Sequence, residues 1–259
     1  MIKMTYNIDR IVAKILLSFA VVLFSVNALG VTKADADALY EKEDYAEAAS
    51  AYESILKTKG VSSALYYNLG NCYYKLDDIP HAVLNYERAT LLDPGDNDIR
   101  ANLALARGKT IDKVVPPSEM FFVTWWRNLT TSISLDTWSY VGIAAFVVML
   151  IGVCLYMFVS QLTVRKIGIY GTMLMFVVCI IANLCAFSQS MDIKHRGTGI
   201  IMSPSVTVKS SPSDKSTDLF LIHEGSKVEI LDGSMKEWKE VKFEEGKQGW
   251  IPSEAMEVI

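Results

Sequence analysis

The sequence predicts a multidomain membrane protein: an α-helical repeat array, a two-helix transmembrane hairpin and a small all-β barrel. Three observations carry that prediction. A helix–turn–helix signature runs from Tyr66 to Pro94, two long uncharged apolar stretches follow, and the last sixty or so residues are short alternating strands broken by glycines. The chain has 259 residues, 25 Lys+Arg against 29 Asp+Glu, and a mean hydropathy of +0.25, high for a soluble protein. The two flanking polar regions are both acidic: 33–119 has 10 basic and 15 acidic residues, and 188–259 has 9 and 12. That balance argues against nucleic acid as a partner.

The N-terminus comes first. Lys3, Arg10 and Lys14 precede an apolar run from Ile15 to Val26, and Val26-Asn27-Ala28 fits the small-x-small rule for cleavage. The run is too short for a comfortable span, so residues 1–28 are expected to be a signal peptide, with an uncleaved anchor as the other reading.

Next is the repeat region, expected over 33–110. Tyr66, Leu69, Gly70 and Tyr73 mark a first helix; Ala82, Tyr86 and Ala89 mark a second; Pro94 ends the unit. This is the pattern of a tetratricopeptide repeat, whose helix pairs form a groove for peptides. A weaker copy lies 34 residues upstream, where Ala48 and Tyr52 stand for Ala82 and Tyr86; downstream, 97–108 reads as the first helix of a third unit. About two and a half repeats follow, a marginal number that a bound partner should stabilise. The groove candidates are the first-helix side chains Asp37, Tyr40 and Glu41, then Tyr67, Asn71 and Tyr74. Tyr and Asn make adaptable peptide contacts. Any one of them is as well explained as a solvated or packed residue. Cys72 sits at a small-residue position and is expected to pack.

Pro116-Pro117 closes the array. Met120, Phe121, Phe122, Trp125, Trp126 and Leu129 then suggest an amphipathic helix over 116–137, lying at the headgroup level and running into the first span; docking on the repeats is the competing reading. The spans are expected at 138–159 and 167–187, joined by a short basic loop, 160–166. The positive-inside rule puts Arg165 and Lys166 in the cytoplasm, and both flanking domains outside. The spans hold no ionisable residue, so they read as an anchor rather than a transport path. Asn183, the strongly polar side chain of the second span, is expected to join the two helices.

Strands are expected at Val206–Lys209, Leu219–Ile222, Lys227–Leu231, Trp238–Val241 and Gln248–Ile251, forming a barrel within 197–259. The phrases His223-Glu-Gly-Ser-Lys-Val, Trp238-Lys-Glu-Val and Gly246-Lys-Gln-Gly-Trp-Ile resemble bacterial SH3-like (SH3b) domains. Trp238 and Trp250 are candidates for ligand contact, against a competing reading as core residues. The four cysteines form no CxxC, and the three histidines fall in different regions. No disulfide, metal site, cofactor or catalytic constellation is expected, and the chain does not read as an enzyme.

The order of signal peptide, short repeat array, aromatic helix, hairpin and SH3b domain resembles the BatE-type proteins of the Bacteroides aerotolerance (Bat) operon, over nearly the whole chain. The resemblance implies a bacterial inner-membrane component beside membrane proteins bearing von Willebrand factor A domains, with a link to envelope or oxidative stress. The functional expectation is a membrane-anchored scaffold that binds protein partners in the periplasm through the repeat groove and the SH3-like barrel. The alternatives are an envelope sensor and an accessory factor for cell-wall enzymes that touches peptidoglycan.

Overall fold

A computed structural model describes residues 31–113, 120–194, 197–243 and 246–259. The expected signal peptide lies outside them. The chain divides into two compact units, the first ending at Gly60 and the second running from Val61 to Ile259.

The first unit contains α1 (Lys33–Glu41) and α2 (Tyr45–Lys59). Thr32 caps α1 in a reciprocal box with Asp35, satisfying backbone donors that a helix start otherwise leaves open. Ala36, Ala48, Tyr52 and Ile55 are buried. The turn between the helices places Glu43 at φ 65°.

The second unit opens with α3 (Ser63–Lys75), α4 (Ile79–Leu92) and α5 (Asn97–Lys109). Ser62, Asp78 and Asp96 cap them, each side chain accepting from backbone N–H groups of the first turn. Asp77, at φ 60°, repeats the left-handed position of Glu43. Gly70 is required by close packing: a Cβ there would lie 2.7 Å from the Tyr86 ring. These helices form the tetratricopeptide-like array, in which Cys72 is fully buried.

The aromatic helix is shorter than expected. It is α6 (Phe121–Thr130), and a turn at 131–134 separates it from α7 (Leu135–Phe158), so it does not run into the span. The turn is held by side chains: Trp138 Nε1 donates to Thr130 O at 3.0 Å, and Gln189 Nε2 donates to Thr130 O and Ile133 O. These bonds give carbonyls at the end of α6 the partners that a continuous helix would supply.

Helices α7 and α8 (Leu162–Lys194) are both long and apolar enough to cross a membrane. Only 159–161 lie between them, so the expected loop at 160–166 is corrected: Arg165 and Lys166 belong to the first two turns of α8. Arg165 is held there by Tyr156, its guanidinium 4.9 Å over the ring and its Nε donating to the Tyr156 carbonyl. Small residues make the pairing. A Cβ on Gly152 would fall 2.4 Å from Thr172 Oγ1, and one on Gly168 would fall 2.9 Å from the Gly152 carbonyl. Asn183 does not join the helices by a hydrogen bond; its amide donates to Cys179 O one turn back in its own helix. At 33 residues α8 is about 50 Å long and extends past the expected end at Phe187.

The C-terminal region is one seven-stranded antiparallel sheet, ordered β3-β2-β6-β5-β4-β1-β7. Its strands are β1 (Thr198–Ile201), β2 (Ser205–Lys209), β3 (Asp218–His223), β4 (Lys227–Asp232), β5 (Trp238–Phe243), β6 (Lys247–Pro252) and β7 (Met256–Val258). One core takes Val208, Ile222, Val228, Val241, Ile251 and Met256. Residues of both edge strands share it, so the sheet curls, helped by register shifts at Val208/Lys209 and Ile230/Asp232. The expected strands are present; β1 and β7 are additional.

Trp238 and Trp250 are not core residues. Side chains alternate along a strand, and Val241, Phe243 and Ile251 hold the inner face. Trp250 pairs with Glu240, so it shares the outer face with Trp238, and both are half-buried.

Candidate protein-binding face and its support

The two repeats carry the same internal clamp. Tyr52 Oη donates to Asp37 in the first, and Tyr86 Oη donates to Asn71 Oδ1 at 2.7 Å in the second. Asp37 and Asn71 stand at equivalent positions, as do Tyr52 and Tyr86. Both groove candidates therefore tie their first helix to a buried tyrosine of the next.

In the first unit Asp37 also pairs with Lys33 at 2.7 Å, Tyr40 meets Tyr45 edge-on at 5.2 Å, and Glu41 is exposed. In the second, the structure brings Tyr67, Asn71 and Tyr74 together with side chains of α5. Asn102 Nδ2 donates to Tyr67 Oη at 2.9 Å and to Asn71 Oδ1 at 3.1 Å. Lys109 Nζ lies 4.5 Å above the Tyr74 ring and 2.7 Å from Asp77. The result is a half-buried polar and aromatic row across α3 and α5. Asn102 and Lys109 were not singled out from the sequence, yet their signal was present: advancing Asn68 and Lys75 by the repeat length of 34 gives Asn102 and Lys109.

The opposite side of these helices is occupied by the sheet. Ile200 of β1 and Ile259 pack into one apolar cluster with Val83, Leu84, Leu103 and Ala106. Around it, Glu87 of α4 bonds Lys227 Nζ at 2.9 Å and the Arg107 guanidinium. Burial pushes the Glu87 carboxyl up, but Lys227 and Arg107 outweigh it and hold it below the usual range. Arg88 bridges Glu257 and the Val258 carbonyl. Asp112 accepts from the backbone N–H of His223 and from Ser226 Oγ, with the His223 ring 3.0 Å away. Burial raises the Asp112 carboxyl and these bonds lower it, with the net below normal. Gly225, at φ +76°, lets the β3–β4 turn approach Thr110, where a Cβ would sit 2.6 Å from Cγ2.

Among the described residues no group of His, Cys, Asp and Glu suits a metal ion. His81 stacks on Tyr73 and pairs with Asp78, and His223 is held by Asp112. Cys72 is inert, its thiol pushed up to about 12 by burial.

A tetratricopeptide repeat family model matches residues 63–96, that is α3, α4 and the following turn. No curated protein matches the chain. The matched unit is a protein-interaction module, and it holds Tyr67, Asn71 and Tyr74.

Proposed function

We propose that the chain is a membrane-anchored scaffold that holds a protein partner on the α3–α5 face. The observation that carries this reading is the row of Tyr67, Asn71 and Tyr74 with Asn102 and Lys109. Tyr67, Asn71 and Tyr74 lie on the matched repeat and Asn102 and Lys109 on the helix that follows it, and the hydrogen bonds and ion pair described for the five join these helices and their turns to one another. Tyrosine rings give contact area at low entropic cost, and the Asn102 and Asn71 amides suit a peptide backbone. Asp37, Tyr40 and Glu41 extend the same reading to the first repeat.

Helices α7 and α8 supply the anchor, and the aromatic face of α6, with Phe121, Phe122 and Trp125 exposed, suits the headgroup layer. A signal peptide and a basic hairpin tip at Arg165 and Lys166 favour a bacterial inner membrane with repeats and sheet on the periplasmic side. The resemblance to BatE-type proteins favours von Willebrand factor A-domain partners and a role in envelope or oxidative stress. A sensor that signals through the hairpin is disfavoured, since only 159–161 separate its helices.

A second reading has its own observation. Trp238 and Trp250 share the outer face of the sheet, which suits an SH3-like module holding a second ligand such as peptidoglycan.

The test is an affinity pull-down from native membranes with Tyr74→Ala/Lys109→Ala, whose side chains touch the face without the buried clamp. Loss of a partner with unchanged thermal stability supports the scaffold. An unchanged partner set removes the groove and moves attention to Trp238/Trp250. Asn71→Ala is a poor probe, because it breaks the bond to Tyr86.

A further inference from the structure

Asn183 is a strongly polar side chain exposed on the surface of the apolar hairpin. Its Nδ2 donates to Cys179 O and lies 3.6 Å from Cys179 Sγ. Its Oδ1 has no hydrogen-bond partner among the described residues. The facing helix supplies none. At this level α7 presents Gly142, where a Cβ would lie 3.3 Å from Asn183 Nδ2, and a glycine has no side chain with which to donate.

The amide sits below the polar ends of both helices. Asn183 precedes Phe187 by about 6 Å of helix rise, and Gly142 follows Asp136 by about 9 Å. In a bilayer both helices therefore place this notch within the apolar layer, where water does not serve as the missing donor. An unpaired amide oxygen is costly there, and polar side chains in spans turn to a partner helix. Phe176, Ile180 and Phe187 flank Asn183 at three- and four-residue spacing and are all exposed, so the same side of α8 offers apolar contact around the amide.

A second copy of the chain matches this notch in depth and in chemistry. Copies enter the bilayer in the same direction, so a two-fold axis along the bilayer normal brings Asn183 of each to one level. A primary amide is its own complement: the Nδ2 hydrogen not used by Cys179 O donates to Oδ1 of the other copy, and the exchange is reciprocal. No Asp, Glu, Lys or Arg lies between Lys166 and Asp192, so the symmetric contact brings no like charges together within the span.

We propose that the hairpin pairs with a second copy of the chain through Asn183, the two amides exchanging hydrogen bonds while Phe176, Ile180 and Phe187 pack around them. The pairing rests on the membrane anchoring proposed above. It presents two α3–α5 faces on the same side of the bilayer.

The full chain, carrying a single dye, is reconstituted in phosphatidylcholine vesicles and floated on a density gradient. Protein that does not float with the vesicles overturns the anchoring and the pairing with it. In protein that floats, bleaching steps of single particles are counted as the protein-to-lipid ratio falls. Paired steps that give way to single steps on dilution are expected. Asn183→Leu should weaken the pairing about tenfold, the worth of two interhelical hydrogen bonds, with the thermal midpoint of the chain unchanged. Asn183→Gln, which keeps an amide, should retain more of the pairing than Asn183→Leu. Single steps at every ratio overturn the proposal without touching the anchoring, and leave Asn183 to a span of another protein. Pairing that is indifferent to Asn183→Leu also overturns it, by moving the contact to another face of the hairpin.

Discussion

The two sides of the α3–α5 layer differ in what they meet. On one, Val83, Leu84, Leu103 and Ala106 pack on Ile200 and Ile259, and Glu87, Arg88 and Asp112 bond the sheet. On the other, the polar ends of Tyr67, Asn71 and Tyr74 meet side chains of neighbouring helices, while the rings of Tyr67 and Tyr74 pack on the edge of that same apolar cluster. The contrast shows how a short array can be completed. Repeats normally lean on further repeats; here a sheet from the far end of the chain covers one side and leaves the polar row for a partner.

The covered side is the place to look for large effects. Glu87 is buried while Arg107 and Lys227 are partly exposed, so the harsher cut removes the cations. Arg107→Met with Lys227→Met should cost about 3–5 kcal/mol in denaturant unfolding, because it strands a buried charge. Glu87→Gln should cost less, about 1–2 kcal/mol, since both cations can turn to water. The reverse order would mean that the trio does not govern docking.

Gly70→Ala is next. Its methyl would overlap the Tyr86 ring, and a loss of about 1–3 kcal/mol is expected from the same unfolding measurement. Tyr86→Phe, which removes the bond to Asn71, should cost about 1 kcal/mol.

Acid sharpens the comparison. Glu87 and Asp112 both have folded values below their ordinary 4.5 and 3.8. A depressed carboxyl contributes stability above its unfolded value and loses it as pH falls through the folded one. Hydrogen-exchange protection of β1 and β7 should hold from neutral pH to about 5 and fall below about 4. Protection unchanged at pH 3 would break the assignment. The smallest effect is expected on the outer face of the sheet: Trp250→Ala should lower stability by about 1 kcal/mol or less, because the ring is half-buried and away from the core.

Much of the local structure was legible in the sequence. The Tyr66–Pro94 pattern gave both helices of the matched repeat, and Ala48/Tyr52 pointed to its upstream copy. Glycine-bounded alternation gave five of the seven strands. The limits of α6 and of the hairpin were less legible, because neither proline nor glycine punctuates the chain between Phe121 and Tyr140. The turn carbonyls are bonded by Gln189, sixty or so positions away, a partner that local sequence does not reveal.

The sequence by itself determined the elements, since helix periodicity, strand alternation, caps and apolar length are local properties of the chain. Tertiary structure decided which faces were covered. Neither the sharing of Glu87 by Arg107 and Lys227 nor the grip of Asp112 on His223 and Ser226 leaves a periodic trace, because the partners are set by the path of the chain rather than by spacing along it. The same reason made Trp238 and Trp250 hard to place: alternation says that a strand has two faces, and only the curl of the sheet says which one is inside.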